Sequence, residues 1–162
     1  MSRIITDYDE LARVAAEQRR AGHRVVFTNG AFDILHVGHT RCLLAAAELG
    51  EFLIVGLNSD ESIRRAKGPG RPAQPLIERM EIVAAIRGVD VVTWFDEPTC
   101  DRLLEIVRPH YHAKGRDYTL ETLPEGPTLR RIGAQLAIVG DEKNHSTTAV
   151  LERWQSSVVG RS

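Results

Sequence analysis

The chain has 162 residues, 43% of them hydrophobic and 27% charged, with a formal net charge of −1. That is the size and make-up of one globular domain with a real core, and too little chain for two. The near-neutral balance argues against nucleic acid or an anionic membrane as partner, and no apolar stretch nears the roughly 20 residues a bilayer crossing needs.

The N-terminal Met-Ser-Arg-Ile-Ile-Thr-Asp lacks the apolar core of a signal peptide. Cys42 and Cys100 stand far apart with no CxxC spacing, so a reducing, cytoplasmic setting is expected and a structural zinc is not. Residues 7–21 predict an amphipathic helix, with Leu11, Val14 and Ala15 on one face, Arg13, Glu17 and Arg20 on another, and Gly22 to end it. Beyond it, apolar runs at 25–27, 52–57, 89–95 and 136–139, and a weaker one at 111–113, alternate with helical patterns. The helices are expected over 39–49, 59–66, 76–87 and 99–108, with a shorter one near 127–133.

The helix over 76–87 has its apolar stripe at Leu76, Ile77, Met80, Val83 and Ala84, and a last helix starts near Ser146 with Val150, Leu151 and Trp154 spaced for burial. Strands separated by helices imply βαβ units. The expectation is a Rossmann-like, doubly wound α/β fold: a three-layer sandwich around a parallel sheet of about five strands. A single domain over 1–162 is expected, the N-terminal helix (1–22) preceding a core (23–156).

The most informative stretch is 28–40, Thr-Asn-Gly-Ala-Phe-Asp-Ile-Leu-His-Val-Gly-His-Thr. A strand ends there, a loop turns, and a helix begins with His36 and His39 near its first turn. A helix N-terminus offers unpaired N–H groups and partial positive charge, so anions settle there. Two imidazoles add donors that can follow charge building on a phosphate. In doubly wound sheets, ligands bind beyond the strand carboxyl ends where strand order reverses, and this loop follows the expected first strand.

Residues 67–75, Lys-Gly-Pro-Gly-Arg-Pro-Ala-Gln-Pro, forbid helix and central strand alike. They read either as a mobile cationic loop over the phosphate site or as an inert surface connection. Near the other end, His145-Ser146-Thr147-Thr148 opens the last helix behind Lys143. One hydroxyl there would be only a cap. Three in a row, beside His145 and Lys143, offer donors and a counter-charge to a second phosphate. Asp33 is either a turn-former or a hook for substrate hydroxyls. The six histidines show no metal-ligand spacing, so no metal site is assigned. His110 and His112 are expected to share one partly exposed side of a strand, without a role. There is no nucleophile elbow and no G-x-x-x-x-G-K-[ST] loop.

Thr28-Asn29-Gly30-x-Phe32-Asp33-x-Leu35-His36-x-Gly38-His39 resembles the signature of the HxGH nucleotidyltransferase superfamily, in its cytidylyltransferase-like branch. Val55-Gly56-Leu57-Asn58-Ser59-Asp60, Lys67-Gly68-x-x-Arg71-Pro72, Arg79, Lys114-Gly115-x-Asp117-Tyr118 and His145-Ser146-Thr147-Thr148 narrow the resemblance to the D-glycero-β-D-manno-heptose 1-phosphate adenylyltransferases, over about 25–154. Departures are Ala31 where cysteine is common, Pro109-His110-Tyr111-His112-Ala113 in place of a more aliphatic strand, and Arg116 at a usual glycine.

The resemblance implies transfer of AMP from ATP to a sugar 1-phosphate, with Mg²⁺ carried on the nucleotide. His36, His39 and Lys67 would act on the reacting phosphates. Thr28, Asn29, Gly30, Phe32, Gly38, Lys114, Gly115, Asp117, Lys143, His145, Ser146, Thr147 and Thr148 would hold ATP. Asp33, Asn58, Asp60 and Arg71 would hold the sugar phosphate. It also implies a homodimer, with the first helix in the interface. In many bacteria such a domain is half of a fusion with a sugar kinase; this chain reads as the stand-alone form. Related transferases using CTP and glycerol 3-phosphate, and a non-catalytic nucleotide-binding module, are the rival readings.

Overall fold

A computed structural model describes residues 2–140 and 146–159. Its strands are β1 (Arg3–Ile4), β2 (Val25–Gly30), β3 (Phe52–Asn58), β4 (Val91–Phe95), β5 (Tyr111–Lys114) and β6 (Gln135–Ile138). Its helices are α1 (Tyr8–Arg20), α2 (Val37–Ala47), α3 (Asp60–Lys67), α4 (Leu76–Ala84), α5 (Asp101–Val107), α6 (Gly126–Ile132) and α7 (Thr147–Val159). The strands form one sheet in the order β1-β4-β3-β2-β5-β6, every neighbouring pair parallel. The expected α/β architecture is present, with six strands where the sequence pattern gave about five. The extra strand, β1, has two residues, too few for an alternation to register.

Each central strand sends alternate side chains to opposite faces. Val25, Phe27, Ile54 and Val91 point to one side, where they meet Leu11 and Val14 of α1, Leu103, Leu104 and Val107 of α5 and Leu129 of α6. Val26, Leu53, Val55 and Val92 point to the other, against Leu43 and Ala46 of α2 and Met80 and Val83 of α4. These two packed faces make the three layers. They bury strands that read as continuous apolar runs, as parallel sheets do. At Gly56 a side chain would meet Phe27 and Leu103 at 3.0 Å, so the missing Cβ lets α5 sit close to the centre of the sheet.

The apolar face of α1 is therefore part of this subunit's own core and is not available to a dimer interface. Within the expected stripes, Met80 and Val83 are buried but Ile77 is 58% exposed. On α7, Val150 and Trp154 are exposed rather than buried, Trp154 by 67%. Periodicity defines a stripe without stating whether a neighbour covers it.

Strand order reverses at β2: β3 and β4 lie to one side of it, β5 and β6 to the other. The chain leaves β2 at Gly30 and enters α2 at Val37, so the histidine-bearing loop sits at the switch point. It follows the second strand in chain order, not the first.

Candidate active site

Beyond the carboxyl ends of β2, β3 and β5 opens a cleft of about 450 Å³. The structure brings Thr28, Asn29, Gly30, Phe32, Asp33, His39, Asn58, Lys67, Lys114, Gly115 and Asp117 together in its lining, joined by Ala31, Cys42, Leu43 and Tyr118. Asp60, Arg71, Gly38 and His36 are not part of this lining. Lys143 and His145 lie outside the described residues. Ser146 is exposed and its Oγ accepts the amide of Ala149, the ordinary capping bond; Thr148 is exposed, and Thr147 opens α7.

Helix α2 begins without a serine, threonine or aspartate cap. His36 takes the N-cap position with extended backbone, and its amide donates to His39 Nδ1 at 3.4 Å. With Nδ1 accepting, a neutral His39 carries its proton on Nε2. The two rings stack with centroids 3.8 Å apart, and the Phe32 ring meets His39 edge-on at 5.4 Å. Burial, then the neighbouring His36 and Lys67, pushes the His39 pKa down to about 4. His39 is thus held as a neutral ring at the start of α2, its Nε2 the protonated nitrogen.

The loop from Gly30 to His36 is strained. Phe32 and Ile34 adopt φ of 48° and 54°, the left-handed region that a β-branched residue avoids. Between them, Asp33 is 1% exposed in its side chain and fully engaged. Its oxygens accept the amide of Ala73 at 3.0 and 3.1 Å, the amide of Gln74 at 3.1 Å and Arg71 Nε at 2.8 Å. Ile34 N donates in turn to Gln74 Oε1 at 3.1 Å. Asp33, expected as a hook for sugar hydroxyls, lines the cleft and anchors the 67–75 loop. Arg71, expected on the sugar phosphate, is its partner. The anchoring holds Lys67, at the end of α3, over the cleft. Burial, then Arg71, lowers the Lys67 pKa from its ordinary value.

Asp60 pairs with an arginine of its own. Arg79, on α4, is wholly buried, and its guanidinium donates to Gln74 O at 3.0 Å, Ala31 O at 2.6 Å, Asn58 O at 2.9 Å and Asp60 Oδ1 at 2.7 Å. One side chain thereby ties together the loop after β2, the end of β3, the start of α3 and the 67–75 loop. The sequence marks Arg79 only through family resemblance, because arginine is among the residues least often fully buried.

On the opposite wall, Lys114 Nζ donates to Asn29 Oδ1 at 3.0 Å and lies 4.8 Å from the Tyr118 ring centroid. His112, expected to be partly exposed and idle, is completely buried beneath Asn29, its Nε2 3.1 Å from Asn29 Oδ1. His110 precedes β5, is exposed, and accepts the Val25 amide at Nδ1. Arg116 keeps an ordinary negative φ and donates from Nε to Gly140 O at 3.1 Å, leaving the cleft lining to its neighbours. Neither Cys42 nor Cys100 is in a disulfide with a described residue.

A cleft at the switch point of a parallel sheet, with paired histidines opening a helix and lysines on two sides, offers donors and positive charge to the phosphates of a nucleotide. The family model described as Cytidylyltransferase-like matches residues 27–156, and the chain belongs to that family. It is 45% identical over 154 residues to the bifunctional protein HldE of Bradyrhizobium sp. (strain ORS 278), covering 95% of this chain and 31% of that protein. It is 43% identical over 151 residues to the bifunctional protein HldE of Hahella chejuensis, covering 93% of this chain and 32% of that one. The chain thus spans about a third of the length of these curated relatives. Among solved structures, the crystal structure of the lipopolysaccharide core biosynthesis protein from Thermoplasma volcanium GSS1 aligns with a TM-score of 0.62 at 24% identity. That match covers 75% of this chain and 100% of the other, a likeness of fold. No helix among the described residues is long and apolar enough to cross a membrane.

Proposed function

We propose that the chain transfers AMP from MgATP to D-glycero-β-D-manno-heptose 1-phosphate, releasing pyrophosphate and ADP-heptose. The observation that carries this reading is the His36–His39 helix start facing a cleft that Lys67 and Lys114 also enter. A phosphate oxygen of the sugar phosphate attacks the α-phosphorus in line. The bond from that phosphorus to the bridging oxygen breaks, and pyrophosphate leaves with the electron pair. No covalent enzyme intermediate is needed, so the protein's work is positioning and charge stabilisation.

In this reading His39 donates from Nε2 to oxygens around the α-phosphorus, and His36 supports it by stacking. Lys67 neutralises charge on the triphosphate from its anchored loop. Asn29, Lys114, Gly115 and Asp117 border the nucleoside, and Asn58 faces the sugar phosphate. Lys143, His145 and the start of α7 hold the outer phosphates. Mg²⁺ belongs to the substrate, carried on phosphate oxygens and water, as this ion prefers. The substrate pair places the work in the cytoplasm. A homodimer, formed without the apolar face of α1, is the proposed assembly, and light scattering reads it.

The test is pyrophosphate release with Mg²⁺ and either ATP or CTP, against the β- and α-anomers of the heptose phosphate and glycerol 3-phosphate. Release confined to ATP and the β-anomer supports the reading. Turnover of CTP with glycerol 3-phosphate replaces it with the neighbouring cytidylyl transfer.

A further inference from the structure

Asn29 lies between two side chains whose chemistry fixes its orientation. Lys114 Nζ, 3.0 Å away, has hydrogen-bond donors and no acceptor, so the amide atom facing it is the oxygen. The same oxygen sits 3.1 Å from His112 Nε2, so that nitrogen must be the one bearing the proton. His112 is wholly buried and its Nδ1 has no hydrogen-bond partner among the described residues. Burial, then the charge of Lys114, pushes its pKa down to about 3, in keeping with a neutral ring. An unsatisfied buried nitrogen costs stability, and an aliphatic side chain would fill that place on β5 without the cost. What the imidazole supplies is the bond to Asn29.

With Oδ1 held by two donors, Asn29 Nδ2 keeps both hydrogens free of any bond to a described residue, and Asn29 lines the cleft. We propose that His112 is a positioning residue: through Asn29, and together with Lys114, it turns an amide donor toward an acceptor atom of the bound nucleotide. This rests on the reading of the cleft as a nucleotide site.

The test compares wild type, His112→Val, His112→Gln, Asn29→Ala and the His112→Val/Asn29→Ala double variant, by steady-state kinetics and by calorimetric ATP binding. His112→Val raises KM and Kd for ATP about tenfold, with kcat within about twofold, the size of one hydrogen bond to a ligand. His112→Gln, which still offers a donor, recovers most of the loss. The double variant is no worse than Asn29→Ala, because the histidine acts only through the asparagine. Unchanged ATP affinity in His112→Val, or additive losses in the double variant, overturns the proposal. Should the valine variant not fold, ring ¹⁵N spectra of the wild type decide: Nε2–H with an ATP-dependent shift of the Asn29 amide supports it, and Nδ1–H overturns it. A wild type that binds ATP without using heptose phosphate defeats the substrate assignment alone; one that binds no nucleotide defeats both.

Discussion

Asp33 and Arg71 are 38 residues apart in the chain and 2.8 Å apart in the fold, joining the loop after β2 to the loop after α3. Burial acts to raise the Asp33 pKa, but the amides of Ala73 and Gln74 and the Arg71 guanidinium outweigh it and hold the carboxyl below its ordinary value. A depressed carboxylate pKa contributes stability above the unfolded-state value, near 3.9, and that contribution fades as pH falls through the lower folded value. Asp33→Asn should therefore lower Tm at pH 7, by about 1–3 kcal/mol of stability, and flatten the acid limb of the melting profile. It should also cut kcat and not only the KM for sugar phosphate, since the loop carrying Lys67 loses its anchor. An effect confined to the sugar-phosphate KM would return Asp33 to direct substrate contact.

His39 titrates in the opposite chemical sense with the same direction in pH. Its folded pKa of about 4 lies under the unfolded value near 6.5, so the neutral ring contributes stability above pH 6.5 that is lost between there and about 4. Wild-type Tm should fall more steeply across that interval than the Tm of His39→Gln. The negative charge of a bound triphosphate raises the ring's proton affinity. ATP binding near pH 6 should take up a proton, read as heat that varies with the ionisation enthalpy of the buffer. Equal heats across buffers would detach His39 from the phosphates.

Removing Arg79 should be among the costliest single changes in the chain. Arg79→Met leaves three carbonyls without their donor and Asp60 without its partner. Breaking such a buried set costs about 3–5 kcal/mol, a fall in Tm on the order of 10 °C at this chain length. Differential scanning calorimetry checks it, and a fall under about 2 °C would show the four contacts to be dispensable.

Arg116 stands where the family resemblance leads one to expect glycine, yet its backbone needs nothing that only glycine offers. Its side chain is tied to Gly140 O. Arg116→Gly should leave kcat/KM within about threefold and stability within about 0.5 kcal/mol, as for other surface positions. A tenfold change in kcat/KM for the sugar phosphate would make this residue a specificity determinant.

The sheet and its flanking helices were legible because parallel strands buried on two faces leave apolar runs, and amphipathic helices leave stripes. The cleft lining was legible at His39 and Lys67, which sit on stretches with their own chemistry, and at Asn29 and Lys114 only through the family resemblance. What could not be read was which polar side chains satisfy one another. Asp33 and Asp60 read as substrate ligands in a linear motif, and only the fold shows that they also pair with Arg71 and Arg79. His112 reads as half of an alternating, partly wet strand because nothing local announces that both faces of β5 are covered. Trp154 fails in the reverse direction, apolar by type and exposed by position.

The left-handed Phe32 and Ile34 bear on whether this site could be moved to another scaffold. Each such residue costs of order 1–3 kcal/mol and persists only where its surroundings insist on it. Here those surroundings include Gln74, Ala73 and Arg71, all distant in sequence, with Arg79 bracing the loops they belong to. A graft of residues 28–40 onto a foreign parallel sheet would relax out of shape, because the segment does not encode its own turn. The smallest transplantable unit is the recognition loop together with 67–79, two pieces that the chain keeps apart and the fold makes one part.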